Sequence, residues 1–189
     1  MTASPAEVDE AAEPGTSIVE QPAEDSPPRS REDRSDDRPP PIDQTDRNAV
    51  LATIREVFAV GGPRGREDAI REVAAALGYQ RTGHRIREIL SREIQTAVRR
   101  GILDNTSGQL SLLCRSIEQY TADHLVEMLL AAMGGTWRTR DEAITAAARH
   151  LGFRRTGEKI RTAFKSAINA AIRRGLLERD GPDSIRRAR

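Results

Sequence analysis

From residue 50 onward, apolar positions recur at helical spacing, and they do so in one order twice. Val50, Leu51, Ile54, Val57 and Phe58 predict a first helix that opens at a Thr45-Asp46 cap and stops at Gly61-Gly62-Pro63. Ile70, Val73, Ala74 and Leu77 predict a second, from Arg66 to Leu77, with Gly78 as its stop. Ile86, Ile89, Leu90, Ile94, Ala97 and Val98 form the stripe of a longer third helix. It starts at Thr82, whose hydroxyl can cap its first turn, and ends at Gly101. Ile102-Leu103, the turn-rich Asp104 to Gly108 and then Leu110 to Leu113 read as a hairpin.

The order then repeats. Leu125, Val126, Leu129 and Leu130 mark a helix over 122–133. Ile144, Ala147, Ala148 and Leu151 mark one over 140–151, and Ile160, Phe164, Ile168 and Ile172 one over 156–174. Leu176-Leu177 opens a second hairpin with its turn at 178–183. Only Ser184-Ile185 precedes a run of arginines, so this hairpin is expected to be degenerate or completed by another segment.

The repetition is written in the residues themselves. Segments 77–103 and 151–177 align without a gap at a spacing of 74 residues, and 13 of the 27 positions are identical. REDAI at 66–70 lies over RDEAI at 140–144, and one skipped residue brings Gly61-Gly62 over Gly134-Gly135. The chain is a tandem duplication, so a site worth naming should occur twice. Three helices followed by a hairpin is the order of a winged helix-turn-helix. The expected fold is therefore mainly α: tandem three-helix winged units with short β-hairpins, over 45–115 and 116–189. Each unit is small enough to gain from packing on the other or on a second copy in a homodimer.

Charge changes the picture. Residues 1–46 carry 4 Arg against 13 Asp and Glu, a net of −9, whereas 47–189 carry 26 Lys and Arg against 16 Asp and Glu, a net of +10. Residues 1–44, rich in Pro, Glu, Asp, Ser and Ala, are too poor in large apolar groups to offset their ordering entropy, and are expected to be a disordered acidic tail. A basic body suits a polyanionic partner. No apolar run reaches the roughly 20 residues of a membrane span. No basic and apolar leader opens the chain, so a cytoplasmic protein is expected.

Chemistry narrows it further. Cys114 is the one cysteine and reads as a core filler. His84, His124 and His150 do not recur between the copies and lack metal-ligand spacing. No nucleophile or phosphate-loop signature is present, so neither enzyme activity nor a cofactor is expected. Of the aromatic residues only Tyr79/Phe153 recurs, which argues against a base-stacking platform.

What recurs without serving the core is basic. Arg81/Arg155, Arg85/Lys159 and Arg87/Arg161 flank or follow Thr82-Gly83 and Thr156-Gly157, and Arg66/Arg140 precede the second helix. A glycine lets a phosphate approach, and free N–H groups with the helix dipole favour an anion. In a helix-turn-helix that end of the third helix enters the major groove. Arg66, Arg81, Thr82, Gly83, Arg85, Arg87, Arg140, Arg155, Thr156, Gly157, Lys159 and Arg161 are thus the candidate nucleic-acid contacts. The competing reading is that the threonines cap, the glycines ease a turn and the arginines pair with nearby Glu. Arg99-Arg100 and Arg173-Arg174, in last helical turns, read first as dipole partners.

The run Leu-Gly-aromatic-x-Arg-Thr-Gly-x-Arg/Lys-Ile-Arg, closing on Arg-Arg-Gly-Ile/Leu-Leu, resembles a domain of unknown function. That domain lies near the C-terminus of large bacterial superfamily-one helicase-like proteins. The resemblance covers 47–113 and 121–180 and implies an accessory role near nucleic-acid-handling enzymes. The expected function is binding of nucleic acid, duplex DNA before RNA. The alternative is a protein-interaction module that docks onto a helicase, a nuclease or another DNA-processing enzyme.

Overall fold

The computed structural model of the chain describes residues 39–188. Six helices carry most of this region: α1 (Arg47–Val60), α2 (Arg66–Ala76), α3 (His84–Arg99), α4 (Ala122–Met133), α5 (Arg140–His150) and α6 (Glu158–Arg173). Five short strands form two small antiparallel sheets: β1 (Leu103–Asp104), β2 (Ser111–Leu112), β3 (Arg138–Thr139), β4 (Leu177–Asp180) and β5 (Ser184–Arg187). No helix among the described residues is long and apolar enough to cross a membrane.

Each group of three helices closes on its own core. Val50, Leu51, Ile54 and Phe58 from α1 meet Ile70, Val73, Leu90 and Ile94 in the first. Leu125, Val126, Leu129 and Met133 from α4 meet Ile144, Ala147, Phe164 and Ile168 in the second. In the first helices the N-caps Asp46 and Thr121 stand 75 residues apart, as do the buried pairs Val50/Leu125, Leu51/Val126, Ile54/Leu129 and Phe58/Met133. Gly61-Gly62 and Gly134-Gly135 are therefore not in equivalent register. Gly134 takes φ 65° and stops α4 after 12 residues, whereas Gly61 keeps φ −94° after the 14 of α1.

The repeat also begins earlier than its first helix. The 3-10 turns Ile42–Gln44 and Ile117–Gln119 both bury their isoleucine, again 75 residues apart. This corrects the tail boundary at residue 44. Residues 1–38 of the expected acidic tail lie outside the described residues, but 39–44 belong to the fold. The Pro39 ring packs 3.5 Å from where a Cβ on Gly78 would sit, and Tyr79 Oη donates to Pro40 O at 2.6 Å.

The second hairpin is the larger one: it is not a degenerate copy, and another segment, β3, completes its sheet, as the second alternative had it. β4 pairs with β5 over four residues, and β5 also pairs with β3, so the order is β3-β5-β4. β1 and β2 share two pairs, and the Arg64–Leu110 bridge stands where β3 does in the second repeat. β5 hides a single apolar side chain, Ile185, while Arg186 stacks its guanidinium 4.6 Å from the Trp137 ring centre. A strand with one buried residue gives little apolar alternation to read.

The two repeats meet at a buried arginine. Arg55, on α1, donates to Cys114 O (2.6 Å), Tyr120 Oη (3.1 Å), Leu151 O (3.3 Å) and Arg115 O (3.4 Å), and lies 3.9 Å from the Phe153 ring centre. Carbonyl dipoles and aromatic faces thus replace the water its charge has lost. Burial raises the pKa of the Tyr120 hydroxyl, which stays a donor, to Gly101 O at 3.0 Å. Burial likewise raises that of the Cys114 thiol. Arg154 pairs with Glu56 at 2.8 Å, and Arg100 donates to His150 O at 3.2 Å. Gly152, at φ 75°, passes directly under α1, for a Cβ there would lie 2.9 Å from Leu51 O.

Candidate nucleic-acid interface

The third helix of each repeat starts later than its threonine suggests. Gly83 and Gly157 are the N-caps of α3 and α6, and neither end has a side-chain cap hydrogen bond. Thr82 and Thr156 are half-buried outside the helix, so their expected capping is corrected. A glycine N-cap contributes no side-chain acceptor, which leaves the first-turn N–H groups to solvent or to a ligand. Both glycines have ordinary φ, −66° and −73°, and a Cβ on either would meet nothing within 4 Å. Neither φ nor packing requires glycine at these positions, where glycine is a favoured N-cap residue.

The basic residues around these ends divide into two kinds. Arg85 pairs with Asp43 at 2.6 Å, and its counterpart Lys159 pairs with Glu118 at 3.1 Å. Arg87 approaches Glu67 at 3.7 Å, and its counterpart Arg161 approaches Asp141 at 3.7 Å. The acids repeat with the bases, so a carboxylate is part of the unit at each. These pairs are largely exposed, and such pairs contribute about 0–1 kcal/mol each. Their arginines and lysine can exchange a carboxylate for a phosphate at small cost. Arg81 and Arg155 are exposed and have no ion pair among the described residues. Arg66, at the start of α2, is likewise exposed and unpaired there.

Arg140 does not join the α6 N-terminus. Its guanidinium turns to the middle of α6 and donates from Nη1 to Asn169 Oδ1 at 3.2 Å. It borders a cleft that sequence reasoning missed, between α6 and β4, where Arg173 and Arg179 also converge. The recurrence of Arg66/Arg140 pointed to that arginine, but nothing in the pattern announced β4 as its neighbour.

The two repeats differ in their fields. Residues 121–189 hold 14 Lys and Arg against 8 Asp and Glu, a net of +6, and 47–120 hold 12 against 8, a net of +4. α3 carries Glu88 and Glu93 among its arginines, whereas the one acid on α6 is Glu158. The second hairpin carries Arg179, Arg186 and Arg187 against Glu178, Asp180 and Asp183, and Arg186 pairs with Glu178 at 2.6 Å, so it adds no net charge; the first turns at Asp104 to Gly108 with no base. The higher net charge belongs to the second repeat.

Comparison of the chain with protein-family models, with curated proteins and with solved structures finds no match.

Proposed function

We propose that this chain binds duplex nucleic acid, DNA before RNA, through two winged helix-turn-helix units whose third helices present their N-terminal ends. The observation that carries the reading occurs twice. An N-terminus without a side-chain cap, with a glycine under open space, stands beside an arginine that has no carboxylate partner among the described residues. Free N–H groups, dipole and guanidinium all favour a phosphate there. Arg81 and Arg155 are the first contacts, and Arg85, Arg87, Lys159 and Arg161 follow by leaving their surface acids. Phosphate contacts dominate over base reading, because no recurring Asn or Gln begins the helix to read adenine. On this reading the protein acts by binding, without chemistry of its own, as a cytoplasmic accessory to DNA processing, in keeping with its resemblance to the helicase-associated domain.

The test is the Arg81→Ala/Arg155→Ala double variant of the full chain on a duplex of about 20 base pairs. Loss of two phosphate contacts should flatten the salt slope by about 2 log units per log unit of salt. Unchanged affinity and slope would remove these residues from the interface.

The repeated ion pairs Arg85–Asp43 and Lys159–Glu118 favour a second reading, since they neutralise bases that a polyanion would use. There the units dock onto a protein such as a helicase or nuclease. Full-chain protein that ignores duplex DNA and RNA at low salt would favour it.

A further inference from the structure

The cleft between α6 and the second hairpin has a volume of about 410 Å³ and is lined by Arg140, Ser166, Asn169, Ile172, Arg173 and Arg179. Among the described residues no carboxylate lines it. None of its three arginines has an ion pair among the described residues. Arg140 Nε is buried with no hydrogen-bond partner among the described residues. Such an atom is destabilising while it stays unpaired. Asn169 Oδ1 is taken up by Arg140 Nη1, which leaves its amide as a donor beside the Ser166 hydroxyl. Three guanidinium groups with an amide and a hydroxyl make a donor-rich lining of charge +3.

We propose that this cleft is a phosphate-binding site of the second repeat, taking a phosphate group from the backbone of a nucleic acid or from a small phosphorylated ligand. The first repeat lacks it. The positions matching Ser166, Asn169 and Arg179 hold Arg92, Gln95 and Asn105, and Arg92 pairs with Glu88 at 3.3 Å. The groove along α3 contains both Glu67 and Glu88. Arg140 and Arg173 recur as Arg66 and Arg99, whereas Ser166, Asn169 and Arg179 belong to the second repeat alone. A guanidinium engages phosphate through paired, charge-assisted N–H donors, so each arginine should matter about tenfold.

Inorganic phosphate, titrated into the full-length chain at fixed ionic strength against chloride, tests this without nucleic acid. Amide resonances of Ser166, Asn169, Arg173 and Arg179 should shift. Arg173→Ala/Arg179→Ala should weaken the response at least about tenfold, with circular dichroism unchanged, since both side chains are exposed. Lys165→Ala, on the same helix outside the cleft, should respond as the wild type does. A short DNA duplex that displaces phosphate from these resonances identifies the ligand as a backbone phosphate. Duplex binding that is indifferent to the double variant identifies it as a small phosphorylated ligand. Phosphate that does no more than chloride, or a folded double variant that responds fully, overturns the site. Because the site stands or falls on the phosphate titration, either result there leaves the duplex-binding proposal to its own test.

Discussion

Gly152 and Gly157 lie five residues apart in the same elbow, yet the structure asks different things of them. At Gly152 the backbone sits at φ 75° and a Cβ would press to 2.9 Å on Leu51 O. At Gly157 the φ is −73° and nothing is near. Gly152→Ala should therefore cost about 2–3 kcal/mol in urea unfolding, from left-handed strain and from parting the repeats. Gly157→Ala should cost only about 0.5–1 kcal/mol, since alanine is the poorer N-cap, and should weaken duplex binding, because the added methyl stands where a phosphate would approach. A Gly157→Ala variant with full affinity would show that no ligand uses that end. His150 gives a second residue-scale prediction. Burial first, then the Arg100 and Arg47 guanidinium groups, press its pKa from 6.5 to about 4. Between those values the unfolded chain binds a proton that the native chain refuses. Its stability contribution is therefore complete above about pH 6.5 and is lost as pH falls towards 4. Melting temperature should drop from pH 7.5 to pH 5 by less in His150→Gln than in wild type; equal drops would show that the imidazole titrates normally in the fold.

Among the elements, the join between repeats governs cooperativity. Arg55 ties α1 to the carbonyls of Cys114, Arg115 and Leu151, and the repeat places Leu130 at its counterpart, so this contact was made for the join and not copied. Arg55→Ala leaves those carbonyls without their donor and opens space beside Phe153, and should cost about 3–4 kcal/mol in chemical denaturation. A cost below about 1 kcal/mol would mean that the repeats are joined by other contacts. The helices were legible because a stripe of Ile and Leu at helical spacing has few other uses, as Ile86, Leu90, Ile94 and Ala97 show on α3. The starts of α3 and α6 were misjudged, since a threonine before a glycine reads as a cap although the glycine takes that place. The second hairpin was underread because β5 buries only Ile185, and its arginines look like a polar tail. Arg55 stayed hidden for a plainer reason: an arginine beside an apolar stripe is ordinarily exposed. The basic cluster was visible through its recurrence, but its partners Asp43 and Glu118 lie in 3-10 turns that carry too little pattern to align.

At the scale of the whole molecule, the segment before α1 is structural from residue 39. Ile42 is buried, and Pro39 and Pro40 cover the Gly78-Tyr79 elbow that corresponds to the one α1 covers in the second repeat. A chain lacking residues 1–44 should be less stable than one lacking 1–38 by about 2–3 kcal/mol, roughly the burial of one isoleucine with its neighbouring contacts. Equal stability would place 39–44 outside the cooperative unit. Charge is also a property of the whole, with a net of −9 in residues 1–46 and of +10 in 47–189. The measurement that bears most directly on the central claim is equilibrium binding of the full-length chain to a duplex DNA at 50 mM and 200 mM salt. Four to six phosphate contacts predict an affinity that falls by about two to three orders of magnitude across that range. Affinity that does not change with salt, or no binding at the lower concentration, would contradict a phosphate-reading interface.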